Sequence, residues 1–317
     1  MRSLAKGILI AGAVFVLGGN IAHADYADAL KAYNAKNWPQ AFVEADLLAR
    51  QGDARGQALL AALYAQGFGV QRDLDQARYW YVAAANQGHS GARFALGLMY
   101  LDGRAGSIDV EKAKGLFMQA ADQGHAGAQH KVGLIHAGAG GNPPNWKKAA
   151  SWFNKAASQN LAEAQYDLGI LHVEGRGVKK DPVLAGQWLS RAAMQGLPEA
   201  ARDYGIMIFR GEGVQRDEKI GAQWLLVAAL KGDVVAQNRC ARLYMVGRGF
   251  EKNPVEAARW HMLARESGMR DQNLEAYVGK LDGGSLQQAQ KLALDWRHKT
   301  GIPARGTNGS NVTKQTK

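Results

Sequence analysis

From residue 51 to residue 266, apolar side chains recur three and four positions apart in short stretches separated by glycine-rich polar turns. This spacing puts Ala92, Leu96, Gly97, Met99 and Tyr100, or Ala164, Leu168, Gly169, Leu171 and His172, on one face of a helix, here called helix A. Helix A runs into a Gly-x-Gly segment, as in Gly67-Phe68-Gly69-Val70, Gly175-Arg176-Gly177-Val178, Gly211-Glu212-Gly213-Val214 and Gly247-Arg248-Gly249-Phe250. Glycine there supplies the positive φ that ends a helix. A short turn then predicts helix B, opening at Asp73, Asp109, Asn145, Asp181, Asp217 or Asn253, side chains suited to accept the free N–H groups of a first turn.

Helix B continues through Ala77, Ala113, Ala149, Ala185, Gly221 and Ala257 to alanine pairs such as Ala84-Ala85 and Ala156-Ala157. These small residues let helices approach closely. Trp80, Leu116, Trp152, Trp188, Trp224 and Trp260 form a further row, expected to supply the large apolar area between units, so that Trp188→Ala destabilises the fold far more than a groove-facing Tyr166→Ala. The whole pattern recurs every 36 residues without an insertion, marked by Gln51-Gly52, Gln87-Gly88, Gln123-Gly124, Gln159-Asn160, Gln195-Gly196, Lys231-Gly232 and Ser267-Gly268. Six units follow, at residues 51–86, 87–122, 123–158, 159–194, 195–230 and 231–266.

Residues 25–50, with Ala29, Tyr33, Trp38-Pro39, Ala41 and Ala45, predict an N-terminal helix pair. Residues 267–300 predict a terminal pair over Leu274 to Lys280 and Ser285 to His298, covering the apolar face that a last repeat leaves open. Residues 301–317 are polar, basic and aperiodic, and are expected to be disordered. The second and third units depart from the pattern: Leu116 replaces the Trp, Arg104-Ala105-Gly106 breaks the glycine signature, and residues 139–146 replace the standard turn.

The ordered set Ala-x-x-x-Leu-Gly-x-Met-Tyr, Gly-x-Gly-Val, Asp, Ala-x-x-Trp and Ala-Ala-x-Gln-Gly resembles the Sel-one-like repeat (SLR) family, 36-residue relatives of the tetratricopeptide repeat. The resemblance covers residues 51–266 and implies an all-α fold: a right-handed α/α solenoid of antiparallel helix pairs, with residues 25–50 more like an ordinary tetratricopeptide pair.

Residues 1–24 read as a cleavable signal peptide, with Arg2 and Lys6, an apolar Gly7–Gly19 stretch too short to span a bilayer, and Ala22-His23-Ala24 before a cleavage site after Ala24. A periplasmic location follows as the expectation, with secretion as the alternative. The export reading also changes the meaning of the formal charge of +11, because without Arg2 and Lys6 it becomes +9, and five uncompensated basic residues sit in the last 21 positions. Nucleic-acid binding is therefore not expected, nor is a membrane span, while the basic tail suits weak contact with anionic surfaces. Cys240, the only cysteine, excludes an intrachain disulfide and falls on a buried repeat position.

No catalytic, metal or cofactor constellation is apparent. The Gly-x-Gly segments end helices rather than begin them after a strand, which removes the phosphate-loop reading. His125, His130 and His136 are five and six apart, not the spacing of ligands on one helix face. There is no nucleophile elbow, no Cys–His pair and no carboxylate pair with an evident role.

What remains is a surface. If helix A lines the concave face, as the resemblance implies, three rows point into it: Ala58, Phe94, His130, Tyr166, Arg202 and Asn238; Ala62, Leu98, Leu134, Ile170, Ile206 and Arg242; and Ala65, Leu101, Ala137, Val173, Phe209 and Met245. An apolar stripe with Arg at one end suits recognition of a protein or extended peptide, and the candidate contact residues are Phe94, Leu98, His130, Leu134, Tyr166, Ile170, Arg202, Ile206, Phe209 and Arg242. The function expected is a non-enzymatic exported scaffold acting as adaptor or regulator in envelope processes. The resemblance also implies two others, a periplasmic immunity protein against a toxin enzyme such as a type VI lipase and an enzyme acting on peptidoglycan or β-lactams.

Overall fold

The computed structural model of the protein describes residues 25–104, 106–141 and 143–302. The expected signal peptide and residues 303–317 of the basic tail lie outside the described residues. Among the described residues there are helices and no strand. The chain divides between His89 and Ser90 into two compact units.

The first unit comprises α1 (Tyr26–Asn34), α2 (Trp38–Arg50), α3 (Ala54–Gln66) and α4 (Leu74–Asn86). Its core is small-residue helix contact, with Ala29, Ala41, Ala45, Leu60 and Leu63 fully buried, closed by Trp38 stacked on Phe68 at 4.3 Å. The second unit alternates helices A and B: α5 (Ser90–Leu101) and α6 (Val110–Asp122), α7 (Ala126–His136) and α8 (Trp146–Ser158), α9 (Ala162–Glu174) and α10 (Pro182–Met194), α11 (Pro198–Arg210) and α12 (Glu218–Leu230), α13 (Val234–Val246) and α14 (Pro254–Glu266). It ends in α15 (Gln272–Val278) and α16 (Gly283–Thr300), the latter packed on α14. Each short A–B turn makes an antiparallel pair, so the chain has the all-α, α/α-solenoid fold.

Local chemistry sets the helix ends. All six predicted caps accept a first-turn N–H, as Asp217 does from Ile220 at 2.9 Å. Each cap residue also donates its own N–H to the carbonyl nine positions back, from Asp73 to Tyr64, Asp109 to Tyr100, Asn145 to His136, Asp181 to His172, Asp217 to Ile208 and Asn253 to Tyr244, at 2.7–3.0 Å. This clamp persists through the variant turns of the second and third repeats, so their altered sequences change the loop while keeping its two ends together.

The first glycine of each Gly-x-Gly ends its helix in the left-handed region, as Gly175 does at φ 74. In the third repeat Ala139 stands where Gly175 stands in the fourth, and α7 ends two residues earlier, with Gly138 taking the positive φ. The second glycine has a different task. A Cβ on Gly177 would collide with the Trp146 carbonyl, and one on Gly213 with Pro182, so each turn lies directly on the start of the preceding helix B.

Packing within a pair differs from expectation in one respect. The row fully buried in helix B follows the Trp row by one residue: Phe117, Phe153, Leu189 and Leu225. The Phe117 and Phe153 rings and the Leu189 methyls fill the space left by Gly97, Gly133 and Gly169 of helix A, while Gly205 lets α11 lie against the backbone of α12 at Gly221 and Leu225. Trp152, Trp188 and Trp224 are half-buried at the flank, and Lys155 and Arg191 lie over Trp152 and Trp188 at 3.8 and 4.7 Å. Only Trp260 of that row is fully buried, because α16 covers it with Trp296. The cause is angular: at 100° per residue the Trp row lies well off the axis joining the buried alanines, and the next residue lies close to it.

The repeat marker also has a structural reason. Gln87, Gln159 and Gln195 donate Nε2 to Gln57, Gln129 and Gln165 at 2.8 Å, and these in turn donate to Ala49, Ala121 and Ala157 carbonyls. Asn160 takes the left-handed conformation, at φ 65, where the other markers carry Gly. Cys240 is fully buried, and that burial pushes its thiol pKa up, consistent with a packing role.

Candidate binding face

In the second unit, Ala92, Ala128, Ala164, Ala200 and Ala236 turn one face of each helix A inward with no exposure. Residues two, six and nine positions later lie on the opposite side, so Phe94, Leu98 and Leu101 and their counterparts face away from that core. From Phe94 and Leu98 through Arg202 and Ile206 the first and second rows are half-buried, whereas Asn238 is buried and Arg242 and Leu101 are exposed.

The first row is held in a ladder from repeat to repeat. His130 Nε2 lies 2.7 Å from Asp167 Oδ2 of the next repeat, and Tyr166 Oη donates to Asp203 Oδ2 at 3.0 Å. Arg202 donates through Nε to Asp203 Oδ1 at 2.7 Å and through Nη1 to Asp233 Oδ2 at 2.8 Å, with Nη2 reaching Tyr166 Oη at 3.4 Å. Burial and the Asp203 carboxylate raise the Tyr166 phenol pKa. Phe94 has no polar end and instead packs on the His125 ring at 4.6 Å and on Phe117 at 5.7 Å.

Arg242 donates through Nε to Asp271 Oδ2 at 2.6 Å, and Asn238 donates to the same oxygen at 3.0 Å. Asp271 also caps α15 by accepting from Leu274. Burial works against this carboxylate's ionisation, but the Arg242, Asn238 and Leu274 donors outweigh it and hold its pKa below the ordinary value.

The ten sequence-predicted residues are therefore assembled on one side of successive helices A, in two roles. His130, Tyr166, Arg202 and Arg242 each have at least one polar atom engaged and brace the surface. Leu98, Leu134, Ile170 and Ile206 form an apolar row beside them, and Phe209 adds a ring with Arg248 at 4.9 Å from its centroid. Sequence reasoning missed the acceptors Asp167 and Asp203, although they recur 36 residues apart immediately after the corresponding first-row residues. It also missed the separate roles of the histidines, since His125 Nδ1 caps α7 by accepting from Ala128 at 3.2 Å. Among the described residues, no group of three or more His, Cys, Asp or Glu is placed to hold a metal ion. No described helix is long and apolar enough to cross a membrane.

The family described as Sel1 repeat matches six times, at residues 54–89, 90–125, 126–161, 162–197, 198–233 and 234–269. This frame begins three residues after the glutamine marker, at the first residue of each helix A. Among solved structures, a protective antigen present in uropathogenic Escherichia coli strains and displaying an SLR fold is 28% identical, with a TM-score of 0.80 and 93% of this chain covered. The chain spans 65% of the length of that protein. A Sel1 repeat protein from Oxalobacter formigenes is 30% identical, with a TM-score of 0.68, covering 77% of this chain and 97% of its own. No curated protein matches in sequence.

Proposed function

Because the chain belongs to the Sel1 repeat family, and its architecture is that of a repeat scaffold, we propose that it is a non-enzymatic scaffold that binds another protein, or an extended peptide, across the helix A face of its second unit. One observation carries this reading. The apolar row Leu98, Leu134, Ile170 and Ile206 is incompletely buried, while the polar row beside it is tied from repeat to repeat. A surface held in place in this way binds without first losing side-chain freedom, which is a main cost of association. The apolar row provides contact area, and the braced aromatic residues provide ring faces.

The protein acts in the periplasm as an adaptor or regulator, after removal of residues 1–24. The basic charge of the leader's start, its apolar stretch and its small-x-small end support that location. Affinity capture from the native envelope, using the chain from Asp25 in wild-type form and as the Leu98→Ser, Ile170→Ser double variant, tests both proposals. The expected result is one specific partner, recovered by the wild type and lost by the folded variant. Recovery by both proteins to the same extent would remove the helix A face as the site.

A further inference from the structure

The polar ladder loses its acid at α13. In α9 and α11 the position following the first row carries Asp167 and Asp203, which accept from the preceding repeat, but the equivalent position of α13 carries Arg239. Arg202 has no acceptor there and turns to Asp203 and Asp233 instead. Arg239 has neither an ion pair nor a hydrogen bond among the described residues, and its Nε is shielded from solvent. Burial, with Arg210, Arg202 and Arg242 nearby, disfavours its proton and outweighs the attraction of Asp203.

Arg239 lines a cavity of about 430 Å³ with Phe209, Arg210, Glu212, Arg216 and Arg248. The carboxylates near this cluster are already engaged. Glu218 is held by Arg248 at 2.6 and 2.8 Å and also by Arg216, and Glu212 is 3.4 Å from Arg210. Four guanidinium groups are thus opposed by two carboxylates, and the surplus sits at a half-buried group whose forked donors have no acceptor. Such a group gains more from a carboxylate than an exposed lysine does, because two parallel charge-assisted bonds form where water is partly excluded.

We propose that this cavity is an acidic subsite of the binding face, in which Arg239 pairs with a Glu or Asp side chain of an acidic peptide segment. The inference rests on the reading of the helix A face as the protein-binding surface. A peptide is favoured over a free anion because Phe209 forms an apolar wall of the cavity and Ile206 lies one helical turn away on the same helix, so an acidic residue and a neighbouring apolar one are accommodated together.

The test uses the full chain and a fluorescein-labelled eight-residue peptide of alternating Glu and Leu, with its Gln-and-Leu counterpart, followed by fluorescence anisotropy at low ionic strength. The acidic peptide is expected to bind about tenfold more tightly than the amide one, and Arg239→Gln is expected to remove that advantage. Lys291→Gln, which removes the same charge from an exposed position on α16, should change affinity less than about twofold. Arg239→Lys keeps the charge without the fork and should recover only part of the binding. Since Arg239 has no partner to lose, Arg239→Gln should unfold at or above the wild-type temperature. Equal binding of the two peptides, full binding by Arg239→Gln, no binding of the acidic peptide, or its displacement by inorganic phosphate at equal concentration would each overturn the assignment. If both peptides bind alike and Ile170→Ser abolishes both, the binding face stands and the acidic subsite fails.

Discussion

Trp188 and Leu189 are adjacent in α10, yet the smaller side chain is the more deeply placed. Leu189 has no exposed surface and fills the space opposite Gly169, while Trp188 is half-buried with Arg191 over its ring. Leu189→Ala leaves a cavity that the close helix A backbone cannot collapse into, so a loss of about 2–5 kcal/mol is expected in urea denaturation. Trp188→Ala, opening toward solvent, is expected to cost less. The apolar rows were legible in the sequence because 36-residue recurrence identifies equivalent positions without any structure. Their burial order was not, because the largest side chain is conspicuous in a sequence, whereas depth depends on an angular offset from the facing helix.

At the scale of the helix and its turns, the second glycine of a Gly-x-Gly and the glycine of a repeat marker make a separable prediction. Gly177 has a positive φ and lies against the Trp146 carbonyl, whereas Gly124 has a positive φ with nothing near its missing Cβ. Alanine at Gly124 therefore meets backbone strain alone, about 1 kcal/mol, and alanine at Gly177 meets strain and a backbone collision. Denaturation midpoints should rank wild type, Gly124→Ala, Gly177→Ala in falling order, and equal midpoints for the two variants would contradict the close approach. The first glycine's role as a helix stop was readable from its position. The second glycine's role required knowing that the preceding helix B begins across from it, which is a fact of repeat stacking and not of local sequence.

The glutamine ladder yields a gain instead of a loss. Gln237 donates to the Ala229 carbonyl, but its Oε1 is buried without a partner, because Ser267 occupies the position that Gln87, Gln159 and Gln195 hold elsewhere. Ser267→Gln is expected to supply the missing donor and to stabilise the protein by about 0.5–1.5 kcal/mol. A lower unfolding midpoint would show that the space bounded by Gln237, Trp296 and Ile302 does not admit the longer side chain.

Across the whole molecule, stability depends on groups buried in one charge state. Burial lowers the pKa of His261, more than offsetting Glu275 and Asp271, and burial also lowers those of His89 and His136. The unfolded chain takes up these protons first, near pH 6.5, so stability is full above that value and falls as pH drops toward the depressed folded values. The unfolding temperature should therefore decrease from pH 7.5 to 5.5, before most carboxylates titrate, and His261→Leu should flatten that slope. An unchanged slope would mean that His261 takes up its proton alike in the folded and the unfolded chain.

The repeat register and the helix caps were readable at this scale, and the side of helix A carrying the candidate site followed from its periodicity. The division of that side into bracing and contact residues was not, because the Tyr166–Asp203 and His130–Asp167 bonds cross between repeats 37 positions apart. The two aspartates taken singly look like ordinary surface acids. The proposed function requires a partner protein to dock on helices A of the second unit. Site-specific photo-crosslinking in the native host tests it most directly, with the crosslinker at Leu98, Leu134 or Ile170 compared with Gln187 or Gln223 on exposed parts of helices B. One discrete protein adduct is expected, the same from all three helix A positions and absent from both helix B positions. An adduct formed from the helix B positions and not from helix A would contradict it.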